Sequence, residues 1–262
     1  MDLGLTGARA IVTGASRGIG LACAQALAAE GASVALVARS ADDLETAAAS
    51  VGATTLAVVA DTTDDAAVRA MVARVVEEWG GVDVLVNAAA RPAGGGPIPP
   101  LTELTDDAVA SEFDIKVLGY LRCARAVAPA MIAQGAGRIV NISGLNARRT
   151  GSIAGTIRNV AVAALTANLA DELGPHGITA TCVHPGMTVT ERIPAMLAGQ
   201  AAARGVSEDE VRRGLESTTS LRRLITAAEV ADVVTFLASP RSVAITGDSI
   251  GAGGGQPGVV HY

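Results

Sequence analysis

Short runs of β-branched and apolar residues alternate along the chain with longer alanine-rich segments of helical spacing. Arg9–Thr13, Ser33–Ala38, Thr55–Ala60, Val82–Asn87, Arg138–Ser143, Thr179–His184 and Ile245–Ile250 read as strands. Gly18–Glu30, Ala41–Ser50, Asp64–Trp79, Thr105–Gln134, Gly155–Leu173 and Ala227–Ala238 read as helices. Many of the strands lack polar alternation, as expected of strands covered on both faces. A β-α-β-α series of this kind predicts an α/β fold: one domain over residues 1–262, with a doubly wound, seven-stranded parallel sheet and helices on both faces. The Gly/Pro-rich stretch Arg91–Pro100 interrupts the rhythm after the fourth strand. Met187–Ser220 is a longer insertion, with helical signals at Ile193–Ala203 and Ser207–Ser217. The rhythm resumes after each, so neither reads as a domain linker.

Composition narrows the setting. Hydrophobic residues make up 50% of the 262 positions and charged residues 18%, which excludes a disordered chain. No uninterrupted apolar run approaches the ~18 residues of a membrane span. Met1-Asp2-Leu3 offers no basic region of a secretory signal. The net charge of −6 argues against nucleic acid or an anionic membrane as partner. Cys23, Cys123 and Cys182 are far apart, odd in number and outside any C-x-x-C spacing. They read as buried thiols of a cytoplasmic protein, and no metal site is expected.

The clearest chemistry lies near the N-terminus. Thr13-Gly14-Ala15-Ser16-Arg17-Gly18-Ile19-Gly20 follows the first strand and opens the first helix. Glycines there permit a tight turn and let backbone N–H groups approach a pyrophosphate at the positive end of the helix. A fold binding NAD usually ends its second strand on Asp or Glu, which accepts from the ribose 2′-hydroxyl. Here that strand runs into Arg39. Arg39 and Arg17 instead suit a 2′-phosphate through charge-assisted bonds, so the expected cofactor is NADP, with NAD less favoured.

With these residues in place the chain resembles the short-chain dehydrogenase/reductase family over nearly its whole length. The glycine pattern is that family's T-G-x-x-x-G-x-G. Asp61 matches its adenine-contacting Asp, and Asn87-Ala88-Ala89 resembles its N-A-G motif. Pro185-Gly186, followed by Thr188 and Thr190, matches its P-G-x-x-x-T segment near the nicotinamide. Phe236-Leu237-Ala238-Ser239 and Ile245-Thr246-Gly247 match its C-terminal signature. The resemblance implies a Rossmann fold, a small-molecule substrate and a homotetramer or homodimer. The dimer contacts would lie on the helices Thr105–Gln134 and Gly155–Leu173, where Val160, Ala161, Ala164, Leu165, Asn168 and Leu169 recur at helical spacing.

The catalytic positions depart from the family. Its mechanism uses Asn, Ser, and a Y-x-x-x-K pair on the helix after the fifth strand. Aligned on the stretch that follows, Tyr falls on Gly155 and Lys on Asn159. No other frame restores the pair, because the only lysine is Lys116 and the two tyrosines are Tyr120 and Tyr262. Ser143 fits the family's Ser, with neighbouring Gly144 as the other match. Lys116-Val117-Leu118-Gly119 resembles the family's N-x-x-G, which places Lys where Asn is expected and Asn159 where Lys is expected. The catalytic candidates are therefore Ser143, Lys116 and Asn159, with the Lys116 ammonium reaching across the pocket to replace the missing cation. Among the other polar residues, His184 reads as a structural histidine, Arg148, Arg149 and Arg158 as solvated arginines, and Tyr120 as an interface residue.

Two functions fit. One is an NADP-dependent oxidoreductase acting on a small carbonyl, hydroxyl or enone substrate with a modified site. The other is a catalytically silent NADP-binding protein that acts as a sensor or assembly partner. Both keep the dinucleotide site and differ in turnover.

Overall fold

A computed structural model of the chain describes residues 1–52, 54–91 and 98–260. Most of the Gly/Pro-rich stretch after the fourth strand, and Tyr262, lie outside the described residues. The first half of the chain runs β1 (Arg9–Thr13), α1 (Gly18–Ala29), β2 (Ser33–Ala38), α2 (Ala41–Val51), β3 (Thr55–Val59), α3 (Asp65–Trp79) and β4 (Val84–Asn87). Then come α4 (Asp106–Phe113), α5 (Gly119–Gln134), β5 (Gly137–Ile142), α6 (Ile153–Leu173) and β6 (Ile178–Pro185). The remainder is β7 (Thr188–Val189), α7 (Ile193–Arg204), α8 (Glu208–Ser217), β8 (Ile225–Thr226), α9 (Ala227–Ala238) and β9 (Ser249–Ala252).

Seven strands form one sheet in the order β3-β2-β1-β4-β5-β6-β9, every neighbouring pair parallel. The predicted doubly wound α/β fold is the observed one. The order reverses between β1 and β4, which opens a crevice at the carboxyl ends of the strands. Side chains along each strand point alternately to two apolar layers. Val12, Leu36 and Val86 pack with α1, α2 and α9, while Ile11, Val37 and Leu85 pack with α3, α5 and α6. The helix starts are set by local chemistry. Ser40, Asp64, Thr105 and Ser152 cap α2, α3, α4 and α6, and Ser207 and Thr226 form capping boxes at α8 and α9.

The structure corrects three sequence expectations. The helix expected over Thr105–Gln134 is two helices joined by a π-helical turn at Asp114–Leu118. The extra residue rotates Lys116 and Val117 inward, where both are buried. Arg122 steadies the turn by donating to the Asp114 carbonyl and carboxylate. The last strand begins at Ser249 rather than Ile245. Gly247, at φ +75°, turns the chain there, and its N–H donates to the Ala180 carbonyl before the strand starts. Tyr120 is buried within its own chain rather than at an interface, its hydroxyl donating to the Ile142 carbonyl at 2.9 Å.

The insertion after β6 folds as β7, α7 and α8, with β7 pairing to β8 in a separate two-stranded sheet. Ile193, Leu197, Ala201 and Val211 give it a small apolar core of its own. Helix α6, continued by a short turn to His176, is long and apolar enough to cross a membrane by length and composition. Here it is a sheet-covering helix, with Val162, Thr166 and Leu169 buried against the protein.

Candidate active site

The crevice above β1, β2 and β3 is built from the residues that the sequence singled out. Its walls include Gly14, Ser16, Arg17, Arg39 and Asp61. Gly14 has φ +68°, and a side chain there would also strike the backbone of Ala88 and Ala89 at 2.9 Å. Gly20 packs so closely on the Gly14 carbonyl that a Cβ would overlap it. Thr13 ties the loop to the end of β4 by accepting from the Ala88 and Ala89 N–H groups through its hydroxyl. Arg17 makes no side-chain cap bond, so no cap competes for the first-turn N–H groups of α1. These features fit a dinucleotide: a close-approach cradle for the pyrophosphate, and Arg17 and Arg39 for further phosphate charge.

Asp61 closes the far end of the crevice. Burial pushes its carboxyl up. The Thr63 N–H and hydroxyl bonds, at 2.9 Å each, together with Arg39 and Arg122, outweigh that and hold it below the usual carboxylate value. Both bonds fall on Oδ1. Asn87, at the end of β4, donates to Asn141 Oδ1 at 2.9 Å, and Asn141 donates to the Thr166 hydroxyl. Asn87 Oδ1 is buried with no hydrogen-bond partner among the described residues. Pro185 ends β6, the Thr188 hydroxyl donates to the Gly186 carbonyl, and the Thr190 methyl lies 3.6 Å from the Cβ position of Gly18. The segment after β6 thus reaches back to the glycine loop.

The catalytic candidates meet just past the end of β5. Lys116 is 4% exposed, and its Nζ donates to the Ser143 carbonyl at 2.8 Å and to Asn159 Oδ1 at 2.9 Å. Burial pulls its pKa from 10.5 to about 8. The Ser143 hydroxyl donates to the Asn159 backbone carbonyl at 2.9 Å, so it points at α6. Gly144 faces the Asn159 side chain: a Cβ there would lie 3.1 Å from Nδ2. Gly155, one turn earlier on α6, is buried against Ser152.

The outlying polar residues resolve differently from one another. His184 is structural in the sense expected, its Nδ1 accepting from the Gly144 N–H at 3.3 Å. Arg158 is not a solvated arginine: it is buried on α6 and ion-paired with Glu112 of α4. Arg148 donates to the Ser249 carbonyl at 2.7 Å, and only Arg149 is exposed. The sequence reading missed Ile115 and Arg91, which line the same crevice as Arg39. Ile115 precedes Lys116 in the π-helical turn and becomes legible as a site residue only once that turn is recognised.

The chain belongs to the short-chain dehydrogenase/reductase family of oxidoreductases. A family model described as enoyl-(acyl carrier protein) reductase matches residues 14–256. The short-chain reductase protein NovJ of Streptomyces niveus is 36% identical over 252 residues, covering 95% of this chain and 93% of that one. A sorbitol dehydrogenase of Cereibacter sphaeroides is 32% identical over 255 residues, covering 96% and 98%. Among solved structures, L-sorbose reductase from Gluconobacter frateurii, complexed with NADPH and L-sorbose, superposes with a TM-score of 0.91. It is 29% identical and covers 99% of this chain and 100% of that one.

Proposed function

We propose that the protein is an NADP-dependent oxidoreductase acting on a small carbonyl, hydroxyl or enone compound through a modified catalytic site, in which Lys116 stands in for the family's Tyr–Lys pair. The observation that carries this reading is the Lys116 ammonium, buried at the carboxyl end of the sheet and bonded to both Ser143 and Asn159. The L-sorbose reductase holds NADPH in a like fold, and the glycine cradle, Arg17, Arg39 and Asp61 suit the same cofactor here. When bound, NADPH supplies the hydride that the carbonyl carbon accepts. Carbonyl reduction builds negative charge on oxygen, and a fixed positive charge in a water-poor pocket offsets it. Lys116 provides that charge, and water supplies the proton that completes the hydroxyl. Ser143 acts as a positioning residue, through its carbonyl on Lys116 and its hydroxyl on the Asn159 carbonyl.

The silent NADP-binding reading has its own support. Glycine occupies both 144 and 155, and the Ser143 hydroxyl is committed to α6. NADPH oxidation measured against a panel of aldehydes, ketones, quinones and enones separates the two. Turnover on any member supports the oxidoreductase. NADPH binding with no turnover across the panel supports the silent protein.

A further inference from the structure

The Asn159 amide has a fixed orientation. Lys116 offers only donors, so the amide atom it meets at 2.9 Å is the oxygen, and Nδ2 is held on the opposite side. Three bonds lock this arrangement: Lys116 to Asn159 Oδ1, Lys116 to the Ser143 carbonyl, and the Ser143 hydroxyl to the Asn159 carbonyl. None of the three uses Nδ2. That atom lies 3.1 Å from where a Cβ on Gly144 would stand. A serine at 144 would crowd the amide, so the glycine is what leaves Nδ2 its place.

We propose that Asn159 Nδ2 is the hydrogen-bond donor to the substrate's carbonyl oxygen, at the position a serine hydroxyl on residue 144 would otherwise reach, with Lys116 as the positioning residue that orients and polarises the amide. This rests on the oxidoreductase reading and adds to it which atom touches the substrate. A cation on the amide oxygen draws electron density from the N–H and strengthens it as a donor. An amide N–H donates and takes up no proton, so the site holds an oxygen acceptor rather than abstracting a hydroxyl proton. The Lys116 charge reaches the substrate through Asn159 while the ammonium itself stays buried.

The test uses isobutyramide, a small carbonyl probe that is not reduced, titrated into the NADPH-loaded protein labelled with [15N]asparagine. Asn159 is assigned by its loss in Asn159→Ala. The expected result is a shift of the Asn159 side-chain amide on binding. Asn159→Asp keeps the shape and the Lys116 contact but removes the donor, and should weaken isobutyramide about tenfold or more. Asn159→Ala should weaken it similarly. Adding Gly144→Ser to Asn159→Ala supplies a hydroxyl at the same locus with room to stand, and should restore most of the affinity. Gly144→Ser alone, which crowds the amide, should not tighten binding. An unmoved Asn159 signal, full affinity in Asn159→Asp, or no rescue in the double variant overturns the proposal. A protein that binds the probe as described yet oxidises no NADPH with any substrate of the panel retains the donor and loses the oxidoreductase reading.

Discussion

Lys116 is the one lysine among twenty basic side chains, and its burial governs its chemistry. Its pKa falls from 10.5 to about 8 because the folded state withholds water from the ammonium. A base whose pKa drops on folding binds fewer protons in the folded than in the unfolded state between those two values. Stability therefore rises with pH from about 8 to 10.5, and the full penalty is present below 8. The shift corresponds to roughly 3 kcal/mol. Urea midpoints of Lys116→Met measured beside the parent chain should lack this rise. The parent climbing no faster than the variant above pH 8 would contradict it. A single labelled lysine also gives one resonance, whose titration midpoint should lie near 8. Arg39→Asp should cost NADPH at least tenfold in affinity by calorimetry, one charged hydrogen bond's worth, while leaving NADH little changed or tighter. Equal losses for both cofactors would remove the 2′-phosphate role. The glycine loop, Arg39 and Asp61 were legible in the sequence because each follows a strand end, and Lys116 because it is the chain's only lysine and stands in a segment resembling the family's N-x-x-G. The sequence did not reveal where the Ser143 hydroxyl points. That depends on the Asn159 carbonyl, 16 residues away on a packed helix.

Between α4 and α5 the π-helical turn decides which way Lys116 faces. An uninterrupted 3.6-residue repeat through Asp114–Leu118 would carry it to another side of the helix. The sequence pattern could not show this, because one inserted residue barely disturbs apolar spacing. The same limit explains β9, where Ile245 continues an apolar run but the Gly247 turn delays the strand. Helix α4 is fastened to α6 by the buried Glu112–Arg158 pair. Glu112→Gln leaves Arg158 buried without its carboxylate and should destabilise the protein by about 3–5 kcal/mol. Chemical denaturation checks this, and a loss under 1 kcal/mol would show that the pair is screened by solvent. Neither helix lines the cofactor crevice among the described residues, so NADPH affinity should change less than stability.

Across the whole molecule the seven-strand sheet was the most legible feature, since apolar strands alternating with amphipathic helices leave few topologies open. Ile153, Ile157 and Val160 stand about half exposed on α6, and Ala164 continues their stripe at helical spacing. Of the stripe expected from the sequence, Val160, Ala164 and Asn168 are exposed, Ala161 and Leu165 are partly buried, and Leu169 belongs to the core instead. The expectation is a homotetramer or homodimer that covers the exposed face. Light scattering should give a mass of two or four chains at micromolar concentration, and Val160→Asp should lower it. A monomer in the parent chain would contradict the expectation.

An isotope label follows hydride transfer from cofactor to substrate. NADPH carrying deuterium at the transferred C4 position is incubated with the protein and the carbonyl compound that scores best in the panel, and the product is analysed by mass spectrometry. The expected result is one deuterium on the carbinol carbon, or on the β-carbon of a reduced enone. Its yield should fall about a hundredfold in Lys116→Met at unchanged NADPH affinity. Product without deuterium, or NADPH bound and left intact with every compound, would contradict hydride transfer by this protein.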